Sequence, residues 1–229
     1  MTNGDRDSIP EELNLPNDPD EIARLEARNA VEQYDRTLNL IDQVVRDGRP
    51  FRLRPSAITS LHQIAMKGVR RLAGTYRASP VRISGSRHLP PDAATVAGHV
   101  EEMCDWVEDN WVEKSAVQLC AYIMWRLNWI HPFDDGNGRT TRAVAYLVLC
   151  SKSGHRLPGS PTIPEQIAED KQPYYAALEK ADEAAERGVD DAGAMEELVR
   201  ACLARQLRAA YEDADRAANE QEEFERKFH

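Results

Sequence analysis

Twelve consecutive residues carry the parts of a phosphate-transfer site: His131-Pro132-Phe133-Asp134-Asp135-Gly136-Asn137-Gly138-Arg139-Thr140-Thr141-Arg142. Pro132 disfavours a continuous helix through His131, so the imidazole is expected at a helix end, free to project. Gly136 and Gly138 open backbone conformations closed to other residues, at the point where a new helix is expected to begin. Successive N–H groups there can form an anion-binding nest that the helix dipole reinforces. Arg139 and Arg142 are three apart, so they share a helix face behind that nest. Asp135 offers one hard oxygen ligand, which suits Mg²⁺, an ion that leans on substrate phosphates for the rest of its shell. A base, a metal ligand, a cradle and two arginines are what phosphoryl or nucleotidyl transfer requires.

Plainer readings fit less well. Asp-Gly and Asn-Gly are hairpin-turn pairs, but the segment that follows has a helical rather than an alternating period. An EF-hand loop counted from Asp134 or Asp135 would place Ala145 or Tyr146 where glutamate is needed. No GxxxxGK(S/T) sequence occurs. Taken singly, the histidine could be a cap and the arginines a solvated face. Their joint spacing favours a site.

The elements that must hold these residues read as helices. Asp18 is an expected N-cap with Pro19 at the first helical position. Val31, Tyr34, Leu38, Ile41 and Val45 then mark one helix face, and Gly48 ends it. A second helix from Pro55 is expected to bury Ile58, Leu61, Ile64 and Ala65. A third spans 92–110, with Val96, Val100, Met103 and Val107 inward. A fourth spans 115–130, with Leu119, Ile123 and Leu127 inward. A fifth runs from Gly138 to Gly154, a sixth opens at Pro173, and a last stretch runs from Ala192 with a charged, projecting end. Between Pro80 and Pro91, Val81 and Ile83 alternate with polar residues before Ser84-Gly85, which predicts a short hairpin or extended loop. The fold class is therefore all-α with one small β-hairpin. The expected division is a flexible lead over 1–17, an N-terminal helix over 18–50, a core domain over 51–190 and a helical extension over 191–229.

The 229 residues carry a net charge of −10 and are 41% hydrophobic. That balance suits a globular chain and argues against nucleic acid, which needs a concentrated basic surface. Cys104, Cys120, Cys150 and Cys202 form no CxxC pair and read as buried free thiols. The polar, acidic start and the lack of an apolar stretch of membrane length point to a soluble, cytoplasmic protein with no membrane partner. Trp106, Trp111, Trp125 and Trp129 are expected in the core or an interface.

HPFDDGNGRTTR resembles the Fic motif, HxFx(D/E)GNGRxxR, at every specified position. Gly74-Thr75-Tyr76-Arg77 followed by Val81 to His88 resembles the lead into that family's target-docking flap. Ala121 to Ile130 and Tyr174 to Leu178 resemble its helices, so the likeness spans roughly 51–181. It implies a Fic-type helical bundle with a hairpin flap, and a protein adenylyltransferase that moves AMP from ATP to a Ser, Thr or Tyr hydroxyl, releasing pyrophosphate. By that resemblance His131 is the general base, Phe133 a core anchor and Asp135 the Mg²⁺ ligand. Gly136, Asn137 and Gly138 receive the phosphates, with the Asn137 side chain also positioning them, and Arg139 and Arg142 balance their charge. The flap at Val81–His88 would take an extended segment of the target protein by strand addition. Transfer of another phosphate-containing group, or a toxin–antitoxin or partner-binding role, are the alternatives. The family's inhibitory pattern, (S/T)xxxE(G/N), is absent. Glu26 in the first helix is its nearest remnant; if it acts as a diverged inhibitor, its carboxylate must lie within salt-bridge reach of Arg142. An inhibitory partner protein, no inhibition at all and an ordinary helix glutamate stay open, as does a homodimer.

Overall fold

A computed structural model describes residues 15–48 and 51–228, and among these every regular element is helical. Most of the expected lead lies outside the described residues. The helices are α1 (Pro19–Asp47), α2 (Pro55–Met66), a 3₁₀ turn (Ala93–Thr95), α3 (Val96–Asp109), α4 (Ala116–Ile130), α5 (Asn137–Ser153), α6 (Ile163–Glu169), α7 (Gln172–Glu186) and α8 (Gly193–Phe228). None of them is long and apolar enough to cross a membrane.

α4 and α5 form the central pair. Each is apolar around most of its circumference, which a helix tolerates only when neighbours cover it on all sides. α1 and α2 cover one flank, while α3, α7 and α8 cover α4. Ser115 and Gln118 close a capping box at the start of α4, and Gly154 in the left-handed conformation ends α5. The first half of α8 belongs to the core through Met195, Val199 and Cys202. Buried Gln206 donates to Tyr146 Oη and the Leu157 and Pro158 carbonyls, and accepts from the Ile163 amide. From Tyr211 to Arg226 the side chains are exposed. All four cysteines are buried and free, as their spacing suggests.

Three expectations change. The inward face of α1 is only partly the apolar line: Ile41 is buried as expected, but Val31 is 61% exposed, and Asn29, Gln33 and Thr37 are buried instead. Asn29 Nδ2 donates to the Ala65 and Lys67 carbonyls at 3.3 and 2.7 Å, and Gln33 Nε2 to the Leu61 carbonyl at 3.0 Å. The closing turn of α2 leaves the Ala65 carbonyl without a helical partner; Asn29 satisfies it and the Lys67 carbonyl that follows, while Gln33 adds a second donor to the Leu61 carbonyl within the helix. Residues 80–91 form no strand, although Ser84-Gly85 does turn, closed by Ser86 N–H donating to Ile83 at 3.2 Å. An isolated two-stranded ribbon is marginal, and the flanking prolines cannot donate to a ladder. The proline-punctuated stretch before α7 contains α6, started by a Thr162/Glu165 capping box.

The polar seam is testable. Asn29→Ala should cost about 2 kcal/mol in urea denaturation, since two buried carbonyls lose their donor. Val31→Ala should stay within about 0.5 kcal/mol. The reverse ranking would restore the apolar face as the buried one.

Candidate functional site

His131 stands where α4 must stop. Its backbone is left-handed (φ 49°, ψ 60°), the sole positive φ among described non-glycine residues. That conformation is uncommon for such a residue and needs support from its surroundings. Arg77, 4% exposed, supplies it. Its Nε donates to the His131 carbonyl at 2.8 Å, Nη2 to the Pro91 and Ile130 carbonyls at 2.6 and 3.4 Å, and Nη1 to Ser79 at 3.2 Å. Its own N–H donates to the Pro132 carbonyl at 2.9 Å. A cation thus sits at the C-terminus of α4, where unsatisfied carbonyls concentrate negative charge.

The next turn is closed from within. Phe133, fully buried, stacks flat on the His62 ring, with centroids 3.6 Å apart and planes at 3°. Asn137 Oδ1 accepts from the Phe133 amide at 2.9 Å, and Asn137 Nδ2 donates to the Phe133 carbonyl at 2.8 Å. This alters the expectation for Asn137. Both ends of its side chain hold the loop, so its amide shapes the cradle from beneath and leaves the backbone to face the cavity. Gly136 adopts φ 75°, and a Cβ there would lie 2.5 Å from Met66 Sδ.

His131, Asp135, Gly136, Asn137, Gly138, Arg139 and Arg142 all line one cavity of about 360 Å³, so the structure brings the whole sequence-predicted set together. Ile83 to Ser86, His88, Asn128, Trp129 and Asp134 also line it, as do Lys171, Tyr174, Tyr175, Leu178, Glu179 and Asp182. Trp125 is buried in the core as expected, while Trp129 stacks beneath Arg126, 4.2 Å from ring centroid to guanidinium.

Charge within the cavity is unevenly balanced. Burial holds the His131 imidazole well below its ordinary value, at about 4, opposed in part by the hydrogen bond to Asn128. The neutral ring directs Nδ1 at the Asn128 carbonyl, 3.3 Å away, which leaves Nε2 with its lone pair. Arg139 Nη2 pairs with Glu26 Oε1 at 2.9 Å. α1 does lie against α5, but its carboxylate meets the first motif arginine rather than Arg142. The seam at Asn29 and Gln33 sets that register. Burial lowers the Arg142 pKa, and the groups that perturb it are Tyr174, Tyr175 and Arg139, with no carboxylate among them.

Asp135 Oδ2 pairs with Arg70 at 2.7 Å, and Oδ1 accepts from the Gly136 amide at 2.6 Å. Among the described residues no three His, Cys, Asp or Glu side chains gather as a metal cage. One half-exposed carboxylate beside an anion nest fits Mg²⁺ taking its other ligands from water and phosphate. Arg70 is the cation that carboxylate holds now.

Sequence reasoning missed His62, Arg70 and Arg77 as parts of the site. His62 is fully buried; its Nδ1 accepts from the Gly74 amide at 2.8 Å and its Nε2 lies 2.9 Å from the Asp135 carbonyl. A histidine inside an apolar helix face was the available signal, and it reads equally well as core.

Comparison with known proteins identifies the family. The model of the Fic/DOC family matches residues 52–149. A Fido domain-containing protein of Dictyostelium discoideum is 32% identical over 127 residues, covering 55% of this chain and 82% of its own. A protein adenylyltransferase Fic of Nematostella vectensis is 30% identical over 110 residues, 48% of this chain and 24% of its own. The matched stretch is thus about a quarter of that relative's length. Among solved structures, the BepC effector of Bartonella tribocorum with bound AMPPNP superposes with a TM-score of 0.57 at 15% identity, over 82% of this chain and 88% of that one.

The His131 environment predicts a titration. Its folded pKa lies below the ordinary 6.5, so the ring stays neutral as pH falls to about 4. Between those values the unfolded chain binds a proton that the folded chain refuses, so this residue's stabilising contribution declines as pH drops through that window. A proton NMR titration of the free protein should place the His131 midpoint near 4. An ordinary midpoint would refute the buried, neutral ring.

Proposed function

Because the chain belongs to the Fic/DOC family, we propose that it transfers AMP from ATP to a Ser, Thr or Tyr hydroxyl of a target protein, with release of pyrophosphate. The observation that carries this reading is the half-buried Arg142 beside the Gly136–Gly138 cradle, with His131 Nε2 on the same cavity. A half-buried cation with no carboxylate paired to it among the described residues favours an anionic ligand. The name of the Nematostella relative and the AMPPNP bound to BepC support a nucleotide as that anion.

In this reading the cradle amides and Arg142 hold the nucleotide phosphates. The target hydroxyl oxygen attacks the α-phosphorus, and its proton passes to His131 Nε2. The bond to the bridging oxygen breaks, and pyrophosphate leaves with that electron pair. Cradle and arginines then stabilise charge as it develops on the leaving group. Mg²⁺ would supply positive charge to the phosphates, and Asp135 is the residue that would hold it. Proximity to Asn128 keeps Nδ1 as the protonated nitrogen, so the lone pair needed for the proton stays on Nε2. The 83–88 turn borders the cavity, and the segment that carries it forms no strand of its own, which suits strand addition by an extended target segment.

The Glu26–Arg139 pair supports self-inhibition as part of the proposal. With Glu26 in place, Arg139 is committed to α1 and is withheld from a nucleotide. An inhibitory partner protein would not be needed for that effect.

Two outcomes test the reading with labelled ATP and cell lysate. His131→Ala should lower transfer about 10²–10⁴-fold while ATP still binds; wild-type turnover in that variant removes the base from the scheme. Glu26→Gln, which keeps helix propensity, should raise automodification on the order of fivefold or more. An unchanged rate in the folded variant would discard inhibition through Glu26.

A further inference from the structure

The Asp135–Gly136 peptide is pinned from outside the motif. His62, 73 residues from Asp135 in sequence, has its Nε2 2.9 Å from the Asp135 carbonyl. The Gly74 amide donates to Nδ1 at 2.8 Å, so Nδ1 must be the unprotonated nitrogen and Nε2 must carry the hydrogen. Stacking on Phe133 holds the ring plane. The imidazole is thus fixed in position, plane and tautomer by three separate contacts, and its remaining donor aims at one carbonyl.

In a trans peptide the C=O and the following N–H point in opposite directions. A carbonyl drawn towards His62 therefore turns the Gly136 N–H to the other side, where the Asp135 carboxylate and the cavity stand. Within the motif, the contact that favours this orientation is the Gly136 N–H donating to the Asp135 carboxylate, the group a metal would draw away. Gly136 accepts either sign of φ at low cost, so without a pin this peptide can flip. A flipped peptide would point a carbonyl oxygen, the wrong end of the dipole, at an incoming phosphate.

We infer that His62 is a positioning residue for the anion cradle: its Nε2–H fixes the Asp135–Gly136 peptide so that the Gly136 amide faces the phosphate site. This rests on the nucleotide reading above and deepens it. His62 touches no substrate and acts through the peptide it holds.

The two nitrogens can be separated by substitution. His62→Gln places an amide donor near the position of Nε2 and keeps the Asp135 contact while losing the one to Gly74. His62→Asn places an acceptor near Nδ1 and keeps the Gly74 contact while losing the one to Asp135. Both lose the stacked ring, so their difference isolates the pinned carbonyl. Calorimetric titration of the full chain in Mg²⁺ buffer with ATP, pyrophosphate and adenosine is the experiment. His62→Asn should bind ATP and pyrophosphate about tenfold more weakly than His62→Gln, as expected for the loss of one amide–phosphate hydrogen bond. Adenosine, which has no phosphate, should bind both variants alike. Equal losses of all three ligands in both variants would mean a purely structural histidine and overturn the inference. Wild-type protein that binds neither ATP nor pyrophosphate would overturn the nucleotide reading, and this inference with it. Intact wild-type binding with indistinguishable variants would overturn the role of His62 alone. Should either variant fail to fold, the ¹⁵N-histidine spectrum of the wild type decides: an Nε2-protonated neutral ring supports the role, and an Nδ1-protonated ring excludes it.

Discussion

Ending a helix inside a protein exposes carbonyls where water cannot reach them, and this molecule must do so at its reactive residue. α4 lies in the centre of the bundle, and its last residue, Ile130, is fully buried. His131 then turns left-handed and Pro132 has no N–H, so the Ile130, His131 and Pro132 carbonyls cannot be satisfied by continuing the helix. Arg77 meets all three, two through its guanidinium and one through its own amide. The guanidinium is the suitable group because it carries five donors in a fixed plane and keeps its charge when buried. The same side chain holds the Pro91 carbonyl, which ties the far end of the 80–91 segment to the foot of the reactive histidine. The position of His131, the shape of the motif loop and the path of the segment beside the cavity therefore share one support. A bundle without Arg77 would keep its apolar core and lose the geometry of its site.

The chemistry was far more legible in the sequence than its scaffolding. His131, Asp135, Gly136, Gly138, Arg139 and Arg142 are adjacent in sequence, so their types and spacing alone bring them together. Helix boundaries were also legible where caps or glycines mark them, as at Asp18, Ser115 and Gly154. The buried face of α1 was not. Apolar periodicity finds surfaces that avoid water, whereas Asn29 and Gln33 are buried because they donate to carbonyls of α2 and of Lys67 just past its end. That demand is a property of the partner helix and leaves no mark on the sequence of α1. His62 and Arg77 were hidden for a related reason, since each answers a backbone group distant in sequence. Asn137 shows the opposite failure. A polar residue inside a phosphate-binding motif invites a ligand role, and in the fold its amide is taken up by Phe133.

The distribution of charge gives the site its logic. The chain is acidic overall, at −10, yet Arg139 and Arg142 stand at the start of α5 and Arg70 reaches Asp135 from the turn after α2. Two of them are neutralised by residues that a nucleotide complex would use differently: Arg70 holds the carboxylate suited to a metal, and Arg139 holds Glu26. Both pairs are partly exposed, which keeps their strength modest and their exchange for stronger partners inexpensive. Arg142 is the remaining positive charge of the three, half-buried. Its neighbour His131 is left a weak base by burial and by the positive field of Arg77. An arriving triphosphate would reverse that field. Negative charge beside the imidazole favours its protonated form, so binding would raise its basicity towards the range useful near neutral pH. A histidine too weak to act in the empty cavity would thus gain its function from the substrate that needs it, and the arginines that attract the phosphates would bring that change about.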